Sequence, residues 1–264
     1  MRISVVTVCY NASKAIEETL LSVINQTYED VEYIVIDGGS TDGTVDVIKK
    51  YSDKISYWVS EPDKGIYDAM NKGIDAATGD WINFMNAGDM FTDSNTLESV
   101  AGSLSNLSDA DIAYGQARFV YEWGSVECPP LPLNELRKHM VFCHQASFVK
   151  TSLMRQAHFD VKYRIAGDYN FFYHQYVHNR KFVYIPICVA VYDSVFGISS
   201  RQHIICEEEY ARINGRIETF SWKIIHLVDK IRVKIKSFVK SMLPQRIVRN
   251  VRRRRVYMAL QKRV

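Results

Sequence analysis

The stretch VEYIVIDGGSTDGT, residues 31–44, decides the fold. Val31 to Ile36 is a dense β-branched and apolar run, as expected for a strand buried on both faces. It ends in the glycine-rich polar turn Asp37 to Thr44, and a helix is expected from Val45 to about Tyr51. Strand, tight turn and helix in succession make one unit of an α/β sheet. Upstream, Ile3 to Cys9 is a second β-branched run, after which Asn11 and Ser13 can cap a helix carrying Ile16, Leu20, Val23 and Ile24 on one side. Downstream, Ile55 to Val59 reads as a strand, Ile66 to Ala77 as a helix and Asp80 to Met85 as a strand. This alternation predicts an α/β fold with a mainly parallel central sheet flanked by helices in three layers.

Beyond residue 92 the pattern is less regular. Ser94 to Leu107 and Tyr169 to Val177 read as helices, and Ile112 to Tyr121 and Phe182 to Val191 as strands. The aromatic residues between Tyr169 and Tyr176 are expected to pack in the core. The whole chain has 264 residues, 47% of them hydrophobic, enough for one sizeable core. Its five cysteines form no CxxC pair, so neither a zinc framework nor a disulfide scaffold is expected. The N-terminal run lacks the long apolar region of a signal peptide and reads as the first strand. No stretch approaches the roughly 20 apolar residues of a membrane span.

In an α/β sheet, ligands bind beyond the carboxyl ends of the strands. Here those ends carry Cys9-Tyr10-Asn11, Asp37, Glu61-Pro62-Asp63-Lys64, and Asn86 to Asp89. The turn after Asp37 opens a helix, where backbone amides favour anions, but it has neither GxGxxG spacing nor the lysine of a P-loop. Alone it is compatible with a plain tight turn, and so is Asn86 to Asp89. Four polar strand ends together make a candidate site. Magnesium and manganese take hard oxygen ligands and keep substrate phosphates in their shell, so one carboxylate and a diphosphate form a minimal metal site.

These segments resemble family 2 glycosyltransferases. The resemblance is carried by Ser4 to Asn11, Ser22 to Tyr28, Ile36 to Thr44, Gly65 to Ile74, Gly79-Asp80-Trp81 and Asn86 to Asp89, with looser matches at His144-Gln145, Gly167-Asp168 and Gly197-Ile198-Ser199. The nearest likeness is to bacterial enzymes that build capsule, exopolysaccharide or O-antigen repeat units. The resemblance implies the GT-A nucleotide-diphospho-sugar transferase fold and an inverting transfer of sugar from a UDP- or GDP-sugar donor. It implies that Thr7, Tyr10 and Asn11 line the nucleoside pocket and that Asp37 holds the nucleoside. Asp63, Lys64 and Lys72, with Asn86, Ala87 and Gly88, would lie along the nucleotide sugar. Asp89 would hold Mg²⁺ or Mn²⁺, Asp168 would be the general base, and His144 and Gln145 would shape the acceptor or diphosphate side. The chain departs from the family pattern in three places. Gly38 stands where a second acid is frequent, Asn86 and Gly88 where the metal motif carries acids, and Gly167 where a glutamate often precedes the base. A nucleotidyltransferase on a similar sheet and a non-catalytic scaffold that binds membrane or nucleic acid through a basic C-terminal tail are the rival functions.

Charge divides the chain. The 33 Lys and Arg and 30 Asp and Glu nearly balance, but residues 220–264 hold fourteen of the basic residues and one acid, Asp229. That leaves nineteen basic and twenty-nine acidic residues in 1–219. The expected organisation is a catalytic domain at 1–219, with a nucleotide-binding half at 1–92 and an acceptor-binding half at 93–219, followed by a basic helical tail at 220–264. Ile224, Leu227, Val228, Ile231, Ile235, Phe238, Val239 and Met242 recur at helical spacing among lysines, before Pro244 and the run Arg252 to Arg255. A basic amphipathic helix reads as a membrane-surface element, the rival being a helix packed on the domain with a solvated basic face. The expected location is therefore the cytoplasmic face of the cell membrane. The expected acceptor is a lipid-diphosphate-linked saccharide, with no nucleic-acid partner and a homodimer as the candidate assembly.

Overall fold

The protein, a computed structural model, is described over residues 1–121, 124–193, 202–242 and Val251. The strands are β1 (Ile3–Cys9), β2 (Val31–Asp37), β3 (Tyr57–Ser60), β4 (Trp81–Phe84), β5 (Met90–Phe91), β6 (Ile112–Tyr121), β7 (Gly124–Cys128), β8 (Ser147–Lys150) and β9 (Phe182–Asp193). The helices are α1 (Ile16–Ile24), α2 (Thr44–Lys50), α3 (Ile66–Ala76), α4 (Thr96–Leu104), α5 (Thr151–Gln156), α6 (Gly167–Val177), α7 (His203–Ile213) and α8 (Phe220–Met242). One sheet runs in the order β3-β2-β1-β4-β8-β6-β9-β5, with β7 paired to β6.

Every residue of β1 is buried because it pairs in parallel with β2 on one side and β4 on the other. Alternate side chains of the strand feed two separate cores. Ile3, Val5 and Cys9 meet Ile16, Leu20 and Val23 of α1 and Leu97 and Val100 of α4. Val6 and Val8 meet Met70 and Ile74 of α3 and Tyr169, Phe171 and Phe172 of α6. The result is the three-layer arrangement expected, with the aromatic residues of α6 in the core.

The parallel reading holds throughout β3-β2-β1-β4, and beyond it the sheet is mixed. β8 pairs antiparallel with both β4 and β6, and β5 antiparallel with β9, while β6 and β9 are parallel. Asn11 and Ser13 do not cap α1, whose N-cap is Ala15 without a side-chain bond. Asn11 is held instead at φ 48° with its amide oxygen on the Thr41 amide, and the Ser13 amide donates to Asp42. The third strand begins at Tyr57 rather than Ile55, because Ser52–Lys54 forms a 3₁₀ turn first. Helices α5 and α7 and strand β7 carried no clear periodicity. Gly197 to Ser199, Pro244 and Arg252 to Arg255 lie outside the described residues.

All five cysteines are free thiols. No helix among the described residues is long and apolar enough to cross a membrane. Helix α8 follows the sheet domain directly and is anchored at its start. His226 Nε2 and Lys230 Nζ each lie 2.8 Å from Glu208 Oε1 on α7, and Trp222 stacks on His226 with ring centroids 4.4 Å apart. Its other face is bare, with Ile224, Leu227, Ile231 and Ile235 between 48% and 60% exposed.

Candidate active site

Loops from the carboxyl ends of β1, β2 and β3 are joined by hydrogen bonds. The Asn11 amide donates to Ser40 Oγ at 2.7 Å, and the Ala12 amide to Thr44 Oγ1 at 2.8 Å. Asp37 lies beneath this junction without accessible surface. Its Oδ2 accepts from the Gly39 and Ser40 amides and from Ser60 Oγ, and its Oδ1 from Ser40 Oγ. Burial raises its pKa, but the bonds from Ser40 and Ser60 outweigh burial and hold it below the usual carboxylate range. Asp42 is also held low, first by the Thr44 hydroxyl. Both depressed values make the turn most stable above the unfolded carboxylate pKa near 4, with stability lost as pH falls through the folded values. Asp37→Asn should destabilise the fold by about 3 kcal/mol in urea unfolding at pH 7, because an amide NH₂ then faces buried donors.

Tyr10 stands above the junction, 64% exposed. A side chain at Gly38 would begin 2.2 Å from Asp63 Oδ2 and 3.4 Å from the Tyr10 ring. The Asp63 carboxylate thus occupies the space beside Tyr10 that a side chain at position 38 would take. Its Oδ1 accepts from the Gly65 amide at 2.8 Å, which aims the group. Lys72 reaches back from α3 to Glu61 Oε1 at 2.8 Å and donates to the Pro62 carbonyl.

The second half of the site is assembled by β8. Because β8 runs antiparallel to β4, its start and the preceding 3₁₀ turn His144–Ala146 lie at the carboxyl end of β4. Asn83 Nδ2 secures that turn by donating to the Gln145 and Ser147 carbonyls. Gln145 Nε2 then donates to Asp89 Oδ2 at 2.8 Å. His144 Nε2 lies 3.2 Å from Asn86 Nδ2, and His144 Nδ1 lies 3.3 Å from Asp168 Oδ2. With the Asn86 amide donating, the ring proton is assigned to Nδ1, the nitrogen nearer Asp168. Asp168 Oδ1 accepts from the Tyr169 amide at 2.8 Å and from the Tyr67 hydroxyl at 3.1 Å. Burial first, and then the charge of Asp168, raises the Tyr67 pKa well above its ordinary value, so the hydroxyl stays a donor. Gly167 is required here: a Cβ would sit 2.7 to 2.8 Å from the Tyr67 ring.

Asn86 Oδ1 is buried and has no hydrogen-bond partner, and it shares the turn closed by the Asp89 amide on the Asn86 carbonyl. That orphaned oxygen and the Asp89 carboxylate are hard donors of the kind Mg²⁺ and Mn²⁺ accept. No group of three or more His, Cys, Asp or Glu among the described residues could hold a metal alone. The donor set therefore fits a cation that shares its shell with a substrate phosphate.

Of the residues expected from sequence, Tyr10, Asn11 and Asp63 meet on one side, and Asn86, Asp89, His144, Gln145 and Asp168 on the other. Ala87 and Gly88 complete the turn between Asn86 and Asp89, and the Gly88 amide donates to Thr19 Oγ1. Lys64 is exposed beside Asp63. Thr7 and Asp37, expected along the nucleoside, are both without accessible surface. Thr7 is fully buried, its hydroxyl on the Met85 carbonyl and beside the Tyr33 hydroxyl. Both brace the pocket from beneath, since each lies within a strand buried on both faces. Sequence reasoning missed Tyr67 and Asn83, whose roles depend on partners 101 and 62 residues away.

The sequence model of "Glycosyl transferase family 2" matches residues 4–162. A PGL/p-HBAD biosynthesis glycosyltransferase of Mycobacterium bovis is 29% identical over 208 residues, covering 75% of this chain and 78% of that protein. Among solved structures, S. aureus TarS 1-349 in complex with UDP-GlcNAc superposes with a TM-score of 0.64 at 18% identity, covering 84% of this chain and 73% of that one. The chain spans 43% of the length of the longer TarS structure. The mannosyltransferase PcManGT of Pyrobaculum calidifontis, in complex with GDP-Man and Mn2+, superposes at 0.59 and 20% identity, covering 88% of this chain and 64% of that one. These likenesses identify the fold as GT-A.

Proposed function

The chain belongs to glycosyl transferase family 2, and from that premise we propose an inverting transfer of a sugar from a UDP- or GDP-sugar to a lipid-diphosphate-linked saccharide. One observation carries the reading: a single short turn, His144–Ala146, reaches both carboxylates the chemistry needs, Asp89 through a hydrogen bond from Gln145 and Asp168 through the His144 ring, 3.3 Å away. The nucleoside lies against Tyr10, with Asp63 supplying the carboxylate that Gly38 cannot. The donors of the TarS and PcManGT complexes, UDP-GlcNAc and GDP-Man, are consistent with a nucleotide-sugar pocket there. Asp89 and Asn86 would hold a divalent cation together with the donor diphosphate. When bound, such an ion supplies positive charge against the negative charge growing on the leaving diphosphate.

Asp168 takes the proton of the acceptor hydroxyl as that oxygen bonds to the anomeric carbon. The carbon–oxygen bond to the diphosphate breaks on the opposite face, which inverts the configuration. The Tyr67 hydroxyl donates to one oxygen of the base, and His144 Nδ1 lies 3.3 Å from the other. Residues 1–219 would act as the catalytic unit and 220–264 as an anchor to the cytoplasmic face of the membrane. Incubation with a panel of labelled sugar nucleotides, Mn²⁺ and lipid-linked acceptors tests this. Release of nucleoside diphosphate with labelled lipid product is expected. Release of diphosphate would mark a nucleotidyltransferase, and no turnover of any donor a scaffold.

A further inference from the structure

Helix α7 places a buried carboxylate behind the catalytic loop. Glu209 is 6% exposed, and it accepts hydrogen bonds from three consecutive backbone amides. Its Oε1 takes the Arg164 amide at 2.9 Å, and its Oε2 takes the Ile165 and Ala166 amides at 3.0 and 2.8 Å. No Lys, Arg or His among the described residues forms an ion pair with it. Its charge is balanced by these amides and by the N-terminus of α6, which starts at Gly167. The carbonyl of the same segment is held as well, since the Tyr67 hydroxyl donates to the Ile165 oxygen at 2.6 Å. That hydroxyl also meets Asp168, two residues past the clamped amides. Tyr210, next to Glu209, packs on the Tyr169 ring that follows the base, with centroids 4.3 Å apart.

We propose that Glu209 is a positioning residue, whose carboxylate clamps residues 164–166 so that Asp168 meets the acceptor hydroxyl at reactive distance. The inference rests on Asp168 being the base. A burial of this kind is expensive for a purely structural contact, because a charged group leaves water with backbone amides, and no countercharge among the described residues, to receive it. What it secures is placement: a shift of about 1 Å in a reacting group lowers rate by around 10²-fold.

The test uses full-length Glu209→Gln. The variant keeps shape but sets an NH₂ against one or more of the clamped amides. We expect kcat to fall about 10- to 100-fold with the donor KM within about twofold of wild type. Amides 164–166 should also exchange with deuterium faster, at temperatures where the circular dichroism spectrum is unchanged. Should Glu209→Gln fold poorly, Glu209→Asp, which keeps the charge one methylene short, should give a smaller fall in kcat with the same exchange signature. In an Asp168→Asn background, Glu209→Gln should cause no further loss of the residual rate. Wild-type kcat in Glu209→Gln, or a loss that only follows the folded fraction, overturns the proposal while leaving the base assignment intact. Full activity in Asp168→Asn alone overturns the base assignment instead.

Discussion

Asp168→Asn should lower kcat by about 10²- to 10⁴-fold, the range a positioned general base contributes, while leaving donor affinity near that of wild type. The asparagine amide cannot take a proton from the acceptor hydroxyl at neutral pH. Binding should persist because the nucleotide side, around Tyr10 and Asp63, is built from the β1 to β3 loops and shares no hydrogen bond with Asp168. The amide also faces Tyr67 and His144 donors, so a loss of about 1–2 kcal/mol in stability is expected alongside. Rates of nucleoside diphosphate release, paired with calorimetric titration of the donor, separate the two effects. A transfer rate within tenfold of wild type would reduce Asp168 to a first-turn helix residue serving the Tyr169 amide.

The second large effect concerns α8. Replacing Ile224, Leu227, Ile231 and Ile235 together with Gln in the full chain should weaken binding to anionic vesicles at least 100-fold. Each of these side chains is about half exposed. Burying one fully in an apolar phase is worth about 1.5–3 kcal/mol, and each basic neighbour near anionic lipid adds about 1 kcal/mol. The substitutions remove the first contribution and leave the second, so residual binding should be abolished by high salt. The fold should survive, because the helix is anchored through His226 and Lys230 on Glu208, which the substitutions leave in place. Vesicle sedimentation with anionic and zwitterionic lipid reads the result. Unchanged sedimentation would mean that this face serves another purpose.

Legibility in the sequence differed between the two halves of the site. Asp89 and Asp63 could be found because each ends a strand or opens a helix, where local pattern reports position. Asp37 was found by the same signal but assigned outward, and its burial under Ser40 and Ser60 appears only when β3 is laid beside β2. Gly38 read as a lost acid; in the fold Asp63 occupies that space from another loop. Glu209 lay in a segment without periodicity, and nothing local distinguishes it from the exposed acids of a solvated helix.

The sequence by itself determined the alternating strands and helices from Ile3 to Phe84, the parallel direction of those strands, and which turns carry polar residues. Those properties follow from burial period and turn chemistry, which act over a few neighbouring residues. Only the tertiary structure decided that β8 returns antiparallel beside β4, bringing His144 and Gln145 onto Asn86 and Asp89. It alone set the Tyr67 ring under Gly167 and three backbone amides on Glu209. The physical reason is that such partners lie 43 to 100 residues apart, so their meeting is settled by how the layers pack and leaves no mark in the local pattern.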